Sequence, residues 1–114
     1  MGKIIKQKPG EVSHYTYRVT WSSEDQEYAG LCAEFPSLSH LDSTQEKAMQ
    51  GIINLVKDVV EDMKSTGEEI PEAFAEKPFS GKFQLRVTPE KHRMLAIEAA
   101  EAGVSLNRLV SGKL

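Results

Sequence analysis

The spacing of apolar residues changes period three times along the chain. In "HYTYRVTWS", Tyr15, Tyr17, Val19 and Trp21 alternate with Thr16, Arg18 and Thr20. A period of two places one set on each face of a strand, and these residue types favour strands. The polar "SSEDQE" reads as a turn, and "YAGLCAEF" as the returning strand of a hairpin, stopped by Pro36. "SLSHL" predicts a short third strand. The spacing then lengthens to four and three. Ala48, Ile52, Leu55, Val59 and Met63, widened by Val56 and Val60, form the apolar stripe of a long helix capped by Ser43 or Thr44 and ended by Gly67. Lys57, Asp58, Glu61 and Asp62 fall mainly on its remaining surface. "EEIPEAFAEKP", with two prolines and four glutamates, interrupts any period and reads as a linker holding at most one short strand or turn.

Period two then returns. "GKFQLRV" sets Phe83, Leu85 and Val87 opposite Lys82, Gln84 and Arg86. Thr88 is placed to cap a helix whose first residue is Pro89, where a fixed φ and a missing N–H cost nothing. Leu95, Ala96, Ala99 and Ala102 make its stripe, and Gly103 its stop. Ser105 caps a last helix with Leu106, Leu109 and Val110 at spacings of three and one.

One strand and two short helices cannot cover Phe83, Leu85 and Val87 within one chain. A second copy solves this: two strands pair antiparallel about a two-fold axis over a core of Phe83, Leu85, Val87, Leu95, Leu106 and Leu109. Its outer face is a two-stranded ribbon carrying Lys82, Gln84 and Arg86, of a size that enters the DNA major groove. There Arg pairs with guanine and Gln with adenine. The backbone N–H groups around Val104, Ser105 and Asn107, at the start of the last helix, are placed for phosphate.

Charge follows the same division. Residues 1–78 hold 8 Lys/Arg against 14 Asp/Glu, a net of −6; residues 79–114 hold 6 against 3, a net of +3. The acidic part repels nucleic acid and the basic part attracts it. The acidic excess reads equally as plain solubility or as complementarity to a basic partner.

Chemistry adds little. Cys32 is the only cysteine, set in an apolar strand; it excludes an intramolecular disulfide and fits a reducing cytoplasm. His14, His40 and His92 lack ligand spacing, so no metal or cofactor is expected. Asp25, Glu34 and Asp42 are the carboxylates to check for a metal-dependent nuclease, but scattered surface carboxylates are the simpler reading, and a non-enzyme is expected. No apolar run reaches the roughly 20 residues that cross a bilayer, and "MGKIIKQKPGEVSH" lacks the apolar segment of a signal peptide. A cytoplasmic protein is the expectation.

The tail "GKFQLRVTPEKHRMLAIEAAEAGVSLNRLV" resembles the ribbon-helix-helix DNA-binding tail of the HicB family of antitoxins. The region before it, with "TWSSED" at the hairpin turn, "GLCAEFPSL" and "DSTQEKA", is similar to the family's N-terminal domain, a partial RNase H-like fold. The resemblance covers roughly residues 15–114. It implies an α+β chain organised as a loose arm (1–12), a partial RNase H-like domain of small antiparallel sheet and long helix (13–70), a linker (71–80) and a ribbon-helix-helix dimerisation module (81–114). It further implies an antitoxin that neutralises a HicA-like, mRNA-cleaving toxin through its N-terminal domain, by contacts the sequence does not specify. The tail would bind operator DNA and repress its own operon as a homodimer, with a tetramer left open. The alternative is a ribbon-helix-helix regulator whose N-terminal domain senses a small ligand or another protein.

Overall fold

A short 3₁₀ turn, Val12–His14, leads into three strands: β1 (Tyr17–Ser22), β2 (Glu27–Cys32) and β3 (Ser39–Asp42). Three helices follow, α1 (Gln45–Thr66), α2 (Pro89–Ala102) and α3 (Leu106–Lys113). The computed structural model describes residues 11–114. The arm expected over residues 1–12 therefore lies outside the described residues except for Glu11 and Val12, and Val12 packs against the core. The chain divides between Pro78 and Phe79 into two units. The described residues form an α+β protein with a small three-stranded antiparallel sheet.

In the first unit the strands run antiparallel in the order β1-β2-β3. Register builds the face that meets α1 in rows. Tyr17 pairs with Cys32; Val19 pairs with Gly30, and Gly30 with His40; Trp21 pairs with Tyr28, and Tyr28 with Asp42. At Gly30 the helix backbone lies directly against the sheet. A Cβ there would collide with the Ala48 carbonyl and stand 2.8 Å from Ile52 Cγ2. Gly51 admits the His40 ring from the other side in the same way.

Helix α1 begins where its sequence says it should. The Thr44 hydroxyl accepts from Lys47 N, and Gly67 closes the helix at φ 75°, a left-handed conformation that glycine adopts without strain. Its buried line is Ala48, Ile52, Val56 and Val60, with Leu55, Val59 and Met63 half-buried beside it. The stripe read from sequence is thus correct in membership but rotated in its centre, because Gly30 draws the 48–52 edge of the helix onto the sheet. Burial of Ile52, Val56 and Val60 contributes about 1.5–3 kcal/mol each. Tyr15 and Phe35 close the far end of this core, edge to face at a centroid distance of 5.2 Å.

The segment read as the linker's first half is not one. Ala73 is buried, the Tyr15 hydroxyl donates to the Pro71 carbonyl (2.7 Å), and Phe74 N donates to Glu34 (2.9 Å). His14 pairs with Glu76 at 3.2 Å. Prolines and glutamates suggested a solvated tether, whereas the apolar Ile70 and Ala73 and the backbone polar groups between them are used to finish the first unit.

Candidate functional site

The second unit is laid out by its caps. The Thr88 hydroxyl accepts from Lys91 N (3.2 Å) and the Ser105 hydroxyl from Arg108 N (3.0 Å). Between the helices Gly103 sits at φ 70°, and Val104 N donates back to the Ala99 carbonyl at 3.0 Å. That backbone loop satisfies the end of α2 and turns the chain sharply. Only Ala99 is buried in α2. Lys113 reaches Glu98 at 3.2 Å, an exposed pair of small energetic weight.

Residues 79–88 form no helix and have no ladder partner in their own unit. Phe83 is 74% exposed, Leu85 61% and Val87 41%. These three line an open hollow of about 780 Å³, with Leu95 of α2 and Leu106 and Val110 of α3 on its other wall. The hollow thus brings together five of the six residues expected to form a shared core; Leu109, the sixth, is half-buried outside it.

The polar side of the same segment is arranged less simply. Lys82 and Arg86 line the hollow alongside Phe83 and Leu85, whereas Gln84 does not. The two faces implied by alternation are not separated within a single chain, since a lone extended segment has no ladder to hold its pleat. Ser105 and Asn107 are exposed at the start of α3 and Val104 is half-buried, with Asn107 also bordering the hollow. His92 lies on its wall.

The acidic candidates in the first unit are occupied by local structure. Glu34 is buried and its carboxylate accepts from Thr16 N (2.9 Å), Thr16 Oγ1 (3.1 Å) and Phe74 N (2.9 Å); the Cys32 thiol also donates to it (3.5 Å). Burial alone would raise its pKa, but the Phe74 and Thr16 donors outweigh burial and hold it below the ordinary carboxylate value. Burial, and then the Glu34 charge, raise Tyr15 above the usual phenol value; burial, and then Cys32, push Tyr17 up to about 12. Burial also raises the Cys32 thiol, so it packs as a thiol and not as a nucleophile. Asp42 accepts from Ser43 N (2.8 Å) and contacts His40 Nε2 (3.1 Å), which together lower its pKa. Asp25 accepts from the Ser22 hydroxyl (2.8 Å) within the hairpin turn. Among the described residues no three His, Cys, Asp or Glu side chains are grouped to hold a metal ion, and no helix is long and apolar enough to cross a membrane.

One surface escaped the alternation pattern. Trp21 shares a face with Tyr17 and Val19, yet it is 49% exposed and stands edge to face against Tyr28 at 5.0 Å. Its row lies one step beyond the Gly30 row, past the Ala48 contact, where α1 has only its first turn left to offer. The signal available in sequence was position: Trp21 is the last large residue before a polar turn.

Comparison with curated proteins and with solved structures gave no match. The model of the HicB family matches residues 65–114, from the last turn of α1 through the whole second unit. That match makes the C-terminal part of the chain similar to the HicB family.

Proposed function

We propose that the chain is the antitoxin of a type II toxin–antitoxin pair. Its C-terminal unit pairs with a second copy as a ribbon-helix-helix dimer, binds operator DNA and represses its own operon. Its N-terminal unit, a partial RNase H-like domain of hairpin, third strand and long helix, neutralises a HicA-like mRNA-cleaving toxin. The match of residues 65–114 to the HicB family model supports the antitoxin role in general. The observation that carries the DNA-binding half is the segment 82–87. It holds three exposed apolar side chains over a hollow walled by Leu95, Leu106 and Val110, directly before two capped helices.

A second copy supplies what the segment lacks. Pairing of the two segments forms the ladder, presses Phe83, Leu85 and Val87 into the joined hollows, and turns Lys82, Gln84 and Arg86 outward. The ribbon then reads base edges while the α3 N-termini sit on phosphates. The +3 net charge of residues 79–114 favours DNA approach, and the −6 of residues 1–78 keeps the other unit clear of it.

The test uses the full chain, light scattering and its own promoter DNA. Phe83→Asp should convert a dimer into a monomer and abolish promoter binding, while the first unit stays folded. Arg86→Ala should keep the dimer and weaken promoter binding by about 1–3 kcal/mol, the range for a lost base contact. A wild-type chain that is monomeric, or an Arg86→Ala chain that shifts the promoter as well as wild type, refutes the ribbon. Co-purification with the product of the adjacent gene tests the toxin half. Promoter binding without any toxin partner would favour instead a regulator whose N-terminal unit senses another ligand.

A further inference from the structure

The end of the sheet beyond the α1 first turn combines an exposed aromatic pair with concentrated negative charge. The antiparallel register brings the β1–β2 turn, the last residue of β3 and the start of α1 to one place, because Tyr28 pairs with both Trp21 and Asp42. Glu24, Asp25, Asp42 and Glu46 are carried there by those elements, with Lys47 of the α1 first turn as the cation that acts on Asp42. Between Arg18 and Lys47 the sequence has six acidic residues and no Lys or Arg. The Ser43 N–H and His40 hold Asp42 ionised well below neutral pH.

We propose that this Trp21–Tyr28 face is the docking surface for a basic protein, with an arginine or lysine of that partner seated against the Trp21 ring. The inference rests on the antitoxin reading and names the surface that would take the toxin. A guanidinium or ammonium gains from the face of an indole, and most from Trp among the aromatic rings. Trp, Tyr and Arg are also the residues that dominate the energetics of protein interfaces. The surrounding carboxylates supply the complementary field, steer a basic surface toward the site and exclude nucleic acid from it. Half-exposed Trp21 gives the contact an apolar centre, and the hairpin carboxylates give it a charged rim.

Trp21 is the only tryptophan, so a chain labelled with 5-fluorotryptophan has a single ¹⁹F reporter at the site. The probe is the unlabelled, purified product of the gene adjacent to this chain's own, the toxin that the antitoxin reading requires. Binding should shift that resonance, and Trp21→Ala should raise Kd roughly tenfold or more, as for an aromatic anchor. The charge-reversed variant Glu24→Lys lies in the exposed turn. It should slow association and flatten its salt dependence, leaving the thermal melt of the chain in place. If the wild-type chain does not bind the toxin, the antitoxin reading and this inference both fall. If it binds with an unmoved resonance and a Trp21→Ala Kd within about twofold of wild type, well below an anchor's share, only this inference falls. A resonance that shifts on concentrating the chain alone assigns the face to self-association and also overturns it.

Discussion

Glu34 offers the sharpest test of how the first unit is held together. Its carboxylate receives the backbone N–H groups of Thr16 and Phe74, both at 2.9 Å, and so ties the start of β1, the end of the hairpin and the segment after α1 to one side chain. Glu34→Gln keeps nearly the same shape but replaces one acceptor oxygen by an NH₂ group, which faces donors it cannot serve. One buried N–H is left without a partner, and the remaining bonds lose the negative charge. An orphaned buried donor costs about 1–3 kcal/mol and a bond to a charged group contributes about 1.5–3. A loss of about 2–4 kcal/mol follows for the variant at pH 7.

The pH dependence carries the sign. Glu34 has a folded-state pKa below its ordinary value of 4.5. Its contribution is therefore complete above the unfolded value and is lost as pH falls through the folded one. Trp21, the sole tryptophan, lies in this unit, so its fluorescence during urea unfolding reports on this unit alone. Glu34→Gln should unfold at lower urea than wild type at pH 7. The gap should narrow once the pH drops below 4.5 and wild type loses the charge as well. Equal midpoints at pH 7, or a gap that stays constant on acidification, would refute the account of Glu34 as the bracket of the unit.

Two further changes separate packing and capping from binding. Gly30→Ala places a methyl group against the Ala48 carbonyl and Ile52. It should destabilise by about 1–3 kcal/mol, the usual cost of overpacking, read as a lower melting temperature of the first unit. Ser105→Ala removes the oxygen that accepts from Arg108 N and should cost about 1 kcal/mol of C-terminal stability. Ser105→Asp keeps a cap but puts a negative charge at the proposed phosphate site. It should leave urea midpoints near wild type while weakening promoter binding in a mobility-shift titration; unchanged DNA affinity would remove Ser105 from the interface.

What the sequence disclosed follows from what each kind of signal measures. Local signals transferred well. Thr88 and Ser105 cap the helices they were expected to cap, Thr44 is the one of the two candidates that caps α1, and Gly67 and Gly103 end theirs, because each is decided by a few neighbouring backbone groups. The first strand was visible in its period, the second as the return of a hairpin and the third as a short run, although β2 ends at Cys32 rather than at Pro36. The Glu34 bracket was not, since its donors lie 18 and 40 residues away and nothing local to Glu34 marks them. The role of "EEIPEAFAEKP" was hidden for a related reason. Proline and glutamate describe how a segment meets water, whereas its place in the fold depends on Tyr15 and Glu34 offering partners to its backbone.

The two alternating segments show where such reading stops. Tyr15–Trp21 and Phe83–Val87 have the same period and similar apolar content, and alternation assigns each an inner face. It does not say what lies against that face. For the first, α1 arrives within the chain, Tyr17 packs against the core and Val19 is half-buried, but Trp21 is left 49% exposed. For the second, the unit's own helices reach only the far wall of a hollow, and Phe83 stays 74% exposed. The uncovered residues are thus the ones whose cover must come from outside the chain. The two surroundings differ in charge: carboxylates at Trp21, and Lys82 and Arg86 beside Phe83. A basic protein suits the first. The second needs another copy of itself before its cations have a defined direction in which to point.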